Sequence, residues 1–234
     1  MHIGMIGGIG PASTVAYYQR LSAAVRDAGG VLDLTIVNAN VNELIRNNEA
    51  GDKNAQAIAY AKLIDRLKAA STDCAVITSL GGHFCFDETV ALSSLPMVSA
   101  VTPLDAYFAG QSIKTVGLMG TKVVMNTQLY GQLSKTRALA PTDTLDLVGE
   151  TYIEMALSSD CSDTQRAFFI EEGRKLIDQG AEAIVLAGTD LNLAFDGRDV
   201  GYTVIDALDV HVALLTDLAV GRALLNEHKA GLSQ

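Results

Sequence analysis

The segment Ser79-Leu80-Gly81-Gly82-His83 places a hydroxyl and an imidazole four residues apart. A serine is a weak base or nucleophile until a neighbouring base takes its proton, and histidine is the commonest such base. His83 sits at the start of a helical stretch, so it reaches Ser79 only if the loop between them curls back. The other reading makes His83 a packing residue or a helix cap. The cysteines, Cys74, Cys85 and Cys161, are odd in number and are not spaced as metal ligands. Cys74 opens an apolar run, Cys85 falls on the helix after the serine, and Cys161 lies in a polar loop. Helical cysteines are usually buried and inert.

A second candidate is the turn Gly7-Gly8-Ile9-Gly10-Pro11, which joins a strand to a helix. It is not a dinucleotide fingerprint. The third glycine of that pattern would fall at Ser13, and the second strand ends in Val37-Asn38-Ala39-Asn40 without an acidic residue. Two readings remain. The backbone around Gly8 and Gly10 binds a small anion at a helix N-terminus, or the turn serves packing alone.

Short β-branched runs alternate with helical patterns along the whole chain. Strand candidates are 2–6, 33–37, 74–78, 96–99, 115–119, 144–148, 182–186 and 202–205. Several are almost wholly apolar, as strands covered on both faces are. Phe169, Ile170, Gly173, Leu176 and Ile177 form one helical stripe, and Leu208, Val212, Leu215 and Ala219 another. The alternation predicts an α/β fold with parallel sheets flanked by helices. Pro11 suits a first helical turn, and Gly180 suits a helix end before the run 182–186. There is a faint internal echo. Run 74–78 leads into Ser79-Leu80-Gly81-Gly82, and run 182–186 into Ala187-Gly188-Thr189-Asp190. Ligands of open α/β sheets bind outside the carboxyl ends of strands.

Apolar residues make up 49% of the 234-residue chain, and the net charge is −10 with 17 Lys and Arg. That composition is globular, with no basic run for nucleic acid or an anionic membrane and no stretch apolar enough to span a bilayer. The first residues read as a strand and not as a signal peptide, which points to the cytoplasm with reduced thiols.

Ile3-Gly4-Met5-Ile6-Gly7-Gly8-Ile9-Gly10-Pro11 closely resembles the opening of the aspartate/glutamate racemase family, part of the Asp/Glu/hydantoin racemase superfamily. Val116-Gly117-Leu118-Met119-Gly120-Thr121-Lys122, followed by Met125 and Tyr130, resembles its middle segment. Gly180–Asp190 resembles its second active-site strand, and Ile205-Asp206 with His211 its closing helix. The resemblance implies two pseudo-symmetric α/β lobes, residues 1–99 with 207–234 and residues 100–206, with an active-site cleft between them. It also implies a homodimer, no cofactor and no metal, and a small amino acid or carboxylate as ligand.

The family inverts an α-carbon with one cysteine on each side, because inversion needs a base and an acid at opposite faces. Aligned on His83, the first cysteine position is Ser79, and Leu80 and Gly81 stand where the family has Asn and Thr. The second cysteine position is Gly188, within Gly188-Thr189-Asp190. Arg46 follows the second strand, near a basic substrate-binding position of some relatives. Arg166 begins the helix before Gly180, and an arginine holds a carboxylate bidentately. Both also read as surface arginines. Thr121 and Thr189, at strand ends, either contact the ligand or cap helices. The resemblance therefore implies a racemase-like protein that binds or acts on a small carboxylate without the paired thiols. Its alternatives are a lyase or decarboxylase of the same superfamily and a non-catalytic carboxylate binder.

Overall fold

The computed structural model describes every residue except Ile9, Asp196 and residues 232–234. The chain divides into two compact units, Met1–Ala100 with the segment from His211 onward, and Val101–Val210.

The first unit begins with β1 (His2–Gly7) and α1 (Pro11–Asp27), whose Pro11 occupies the first helical position. There follow β2 (Asp33–Asn38), α2 (Val41–Glu49), α3 (Lys53–Ala69) and β3 (Cys74–Ile77). A 3-10 turn (Gly81–Cys85) leads into α4 (Phe86–Leu92) and β4 (Met97–Val98). The strands pair in the order β2-β1-β3-β4, all parallel. Ile6 is opposite Val37 on one side and Ile77 on the other. The chain thus leaves β1 to one side, then crosses back to the other. The carboxyl ends of β1 and β3 flank the point where the winding reverses, the usual ligand position in such sheets.

The second unit runs α5 (Thr102–Gly110), β5 (Thr115–Met119), α6 (Lys122–Asn126), β6 (Arg137–Leu139), α7 (Leu145–Ser158) and α8 (Asp163–Asp178). Then come β7 (Ala183–Leu186), a 3-10 turn (Thr189–Leu191), α9 (Asn192–Phe195) and β8 (Val204–Asp206). Its order is β6-β5-β7-β8, all parallel. The winding repeats that of the first unit strand for strand, with β5 and β7 in the places of β1 and β3. Helix α10 (Ala207–Ala219) carries the chain into the first unit, where α11 (Leu225–His228) and β9 (Lys229–Ala230) follow. Strand β9 lies antiparallel against β4 at the sheet edge.

The fold is the α/β architecture that the alternating runs predict. Strands β3 and β7 are buried at every position, as strands covered on both faces must be. Helix α8 has reciprocal bonds between Ser162 and Gln165 at its start. At its end the N–H of Gly180 donates to the Ile177 carbonyl and that of Ala181 to Leu176. Phe169, Gly173 and Leu176 form its buried stripe. Truncating a fully buried phenylalanine such as Phe169 costs about 3–5 kcal/mol.

Two local expectations change. Residues 144–148 are not a strand but the start of α7, because Val148, Tyr152, Met155 and Ala156 recur at helical spacing and face the core. Strands β6 and β9 lie outside the predicted runs, being too short to show a period.

After α6, Gln128, Leu129 and Tyr130 all take left-handed backbone angles, with φ of 49°, 57° and 60°. Each such non-glycine residue costs roughly 1–2 kcal/mol. Leu129 is fully buried, which holds the segment in place, whereas Gln128 is exposed. Gln128→Gly, which removes the clash at the price of some unfolded-state entropy, is expected to stabilise the protein by about 0.5–1 kcal/mol. Chemical denaturation of the two proteins checks this.

Candidate functional site

At the carboxyl end of β1 the chain turns through Gly8 at φ +80°, a left-handed conformation. A Cβ there would also lie 2.2 Å from Asn38 Oδ1, so the position demands glycine twice over. The Gly8 N–H donates to Thr14 Oγ1 (2.8 Å), and that hydroxyl donates to the Gly10 carbonyl (3.2 Å). Gly10 is the N-cap of α1, and no side chain caps this helix. Ile9 of the same turn lies outside the described residues. A cavity of about 460 Å³ opens here, lined by Gly8, Pro11, Asn38, Ala39, Asn40 and Val41. Its wall combines an uncapped helix N-terminus with a side-chain amide, a combination that suits an anionic group.

On the other side of β1 from the β2 end, β3 ends and leads through Thr78 to Ser79, which is not among the cavity's lining residues. Thr78 Oγ1 donates to the Ile6 carbonyl, and Ser13 Oγ donates to the Thr78 carbonyl, each at 2.9 Å. These bonds tie the ends of β1 and β3 to α1. Ser79 is buried, and its Oγ accepts the Gly82 N–H (3.1 Å). No acceptor for the hydroxyl proton is found among the described residues.

The loop does curl back, but it brings the imidazole to the backbone of Ser79 and not to its hydroxyl. His83 Nδ1 lies 2.7 Å from the Ser79 carbonyl, and Nε2 lies 3.1 Å from the Ala100 N–H. A carbonyl only accepts and an amide only donates, so these partners require the proton on Nδ1 and the lone pair on Nε2. The ring also stacks on Phe86, with centroids 5.0 Å apart. Burial pushes its pKa down to about 4, against a smaller opposing effect of the Ser79 carbonyl. His83 thus holds the loop between β3 and the end of β4 as a neutral clamp.

Leu80 is fully buried, and the Gly81 carbonyl accepts from Asn48 Nδ2 at 3.5 Å. Cys85 is buried under the same turn, where burial pushes its thiol up to about 11. Cys74 is pushed to about 12 by burial and then by Asp73. Burial also raises Cys161. All three thiols keep their protons at neutral pH. Deeper in this unit, His211 Nδ1 meets Tyr17 Oη at 2.9 Å. Burial, then repulsion from His83, lowers the His211 pKa to about 3.

In the second unit Thr121 follows β5 by two residues and caps α6, its Oγ1 accepting the Val124 N–H at 3.4 Å. Gly188 follows β7 by two residues, as Ser79 follows β3. Thr189 and Asp190 come next, both buried, and Asp190 Oδ2 accepts the Tyr152 hydroxyl at 3.1 Å. Arg166 turns its guanidinium inward, where Nη1 donates to the carbonyls of Leu193 (2.7 Å) and Ala194 (2.5 Å). Those carbonyls take Nη1, and Nε is buried without a hydrogen-bond partner among the described residues. Arg46 is exposed on α2 and is not among the cavity's lining residues.

Gly8, Gly10 and Ser79 therefore gather at the strand ends of the first unit, and Thr121, Gly188 and Thr189 at those of the second. Asn38, Thr14 and Tyr152 are the neighbours that spacing did not single out. Among the described residues no three His, Cys, Asp or Glu side chains cluster as metal ligands, and no helix is long and apolar enough to cross a membrane.

The profile of the Asp/Glu/hydantoin racemase family matches residues 6–215. A Yersinia pestis structure with a provisional Asp/Glu racemase assignment is 25% identical, with a TM-score of 0.80 over 94% of this chain and 100% of that one. An aspartate racemase homologue from Pyrococcus horikoshii is 23% identical, with a TM-score of 0.75 over 94% and 99%. The Picrophilus torridus aspartate racemase is 18% identical, with a TM-score of 0.77 over 97% and 98%.

The two buried histidines generate a pH dependence. Their folded pKa values, about 4 and about 3, lie below the unfolded value near 6.5. The unfolded chain therefore binds more protons between these limits. The stability held by the neutral rings is complete above about 6.5 and is lost as pH falls towards 4. The melting temperature is expected to drop steeply over that window, and His83→Gln to flatten the slope. A melting series from pH 7.5 to 4 for both proteins checks it.

Proposed function

This chain belongs to the Asp/Glu/hydantoin racemase family, and from that membership we propose that it binds a small amino acid or related carboxylate and exchanges a proton at its α-carbon without a cofactor. The observation that carries the reading is Ser79. It stands two residues past a central strand, with its oxygen fixed by the Gly82 N–H and its proton uncommitted among the described residues. The ligand carboxylate takes the cavity beside Gly8 and Gly10, against the uncapped start of α1 and the Asn38 amide. When the Cα–H bond breaks, its electron pair stays on carbon. The Ser79 hydroxyl first gives its proton to water, with the Gly82 N–H stabilising the alkoxide, and the alkoxide then takes the Cα proton, which leaves serine neutral and the negative charge on the substrate. The reading includes a cytoplasmic homodimer with no nucleic-acid or membrane partner.

A second reading has its own support. Ser79 carries a proton, and the imidazole nearest to it is neutral with both nitrogens engaged. Such a group suits delivery of a proton to a carbanion left by a departing carboxyl group, which is the chemistry of a lyase or decarboxylase. It needs only one proton donor.

Proton NMR in heavy water, with aspartate, glutamate and a panel of other amino acids, separates these readings. Loss of the α-proton signal is the expected result, and Ser79→Ala is expected to slow it at least a hundredfold, within the usual range of an acid–base group. A carboxylate that raises the melting temperature while no α-proton is exchanged would point to a lyase with another substrate, or to a binder.

A further inference from the structure

Gly188 has φ −126° and ψ 116°, an extended backbone that any residue adopts. Glycine is not needed there for the conformation. It is needed for space, because a Cβ at this position would lie 2.5 Å from Cε2 and 2.7 Å from Cζ of Tyr152. The Cα of Gly120 is 3.1 Å away on another side. The phenol of Tyr152 therefore fills the volume into which a side chain at 188 would project. That phenol is itself anchored. Tyr152 packs among Met119, Met125, Val148 and Met155, is 4% exposed, and donates its hydroxyl to the buried Asp190 carboxylate. Burial, then the charge of Asp190, raises its pKa well above the usual phenol value, so the group holds its proton. The equivalent place in the first unit, after β3, holds Ser79, whose Oγ accepts the Gly82 N–H.

We propose that Tyr152 closes the β7 strand end to side-chain proton transfer, so that this chain works from the β3 end alone and exchanges or delivers a proton without inverting the carbon. This rests on the proposed function and specifies its outcome. The proton that leaves Cα goes to Ser79, and a solvent-derived proton returns from the same group to the same face. The chirality of the substrate is kept.

Two experiments test it. In heavy water, enantiopure substrate is followed by proton NMR for α-proton loss and by chiral chromatography for the mirror image. Exchange with less than a tenth as much enantiomer formed is expected. Tyr152→Phe, which keeps the ring and removes the hydroxyl, is expected to leave exchange within threefold of wild type. The second experiment is a melting cycle. Gly188→Cys is expected to lower the melting temperature by about 5 °C or more, the scale of an overpacked core. In a Tyr152→Ala background the same change is expected to cost nothing, since the volume is then open. Tyr152→Leu replaces Tyr152→Ala if the latter does not fold.

Enantiomer formation at the rate of exchange overturns this inference alone. So does a hundredfold loss of exchange in folded Tyr152→Phe, which would make the phenol a proton donor, and so does a Gly188→Cys cost that is the same in both backgrounds. Absence of exchange with every substrate overturns the proposed function and this inference together.

Discussion

A parallel strand pair has to be covered on both faces, and a chain that winds out from a central strand can meet that demand by crossing back over it. That constraint places everything else in this molecule. In the first unit it sets β1 and β3 side by side, with Ile6 opposite Ile77, and delivers the Gly7-Gly8 turn and Ser79 to adjoining strand ends. In the second unit it sets β5 beside β7, with Met119 opposite Leu186, and delivers Gly120 and Gly188 to the same places. The strands themselves do no chemistry. Their pairing decides which short segments lie where the winding reverses.

What fills those two places differs in kind. After β3 the segment is held by main-chain partners, with the Ser79 carbonyl and the Ala100 amide on the two nitrogens of His83. The clamp requires a neutral ring in a buried site, and burial itself enforces that state by lowering the pKa. The imidazole is consumed by positioning, so the Ser79 hydroxyl is left without a base among the described residues. After β7 the segment is held by side-chain packing, and the core has grown into the space beside Gly188. One strand end is shaped by hydrogen bonds around a polar atom, the other by a ring around an absent one.

Much of the architecture was legible in the sequence because buried parallel strands are nearly pure apolar runs. Residues 74–77 and 183–186 are of this kind, and both lie inside predicted runs. The start of α7 has the pattern of a strand because Leu145 and Leu147 alternate over the first turn. The helical period of Val148, Tyr152 and Met155 shows only further on. The partner of Tyr152, Asp190, is 38 residues away, a separation no local pattern spans. The Ser79–His83 spacing was visible too. Whether a ring four residues on meets the hydroxyl or the carbonyl depends on the turn geometry, and the Ala100 amide that decides it lies 17 residues beyond His83. Arg166 shows the same limit. Its type suits a carboxylate, and only the fold reveals that its Nη1 is turned to the carbonyls of Leu193 and Ala194.

The separation between fold and site can be given a scale. A domain is stable by about 5–15 kcal/mol, and overpacking a single core position costs about 1–3 kcal/mol. A strand end that has been filled from below is therefore not free to regain a side chain by one substitution. The new atoms would have to displace a ring whose hydroxyl is hydrogen-bonded to a buried carboxylate, and removing one partner of such a bond costs about 1–3 kcal/mol more. The β3 end carries no comparable barrier on its polar side, since the Ser79 hydroxyl is bonded only through its acceptor among the described residues. Chemistry on such a scaffold can change readily where backbone holds the site and only with difficulty where the core does, because fold alone does not fix function.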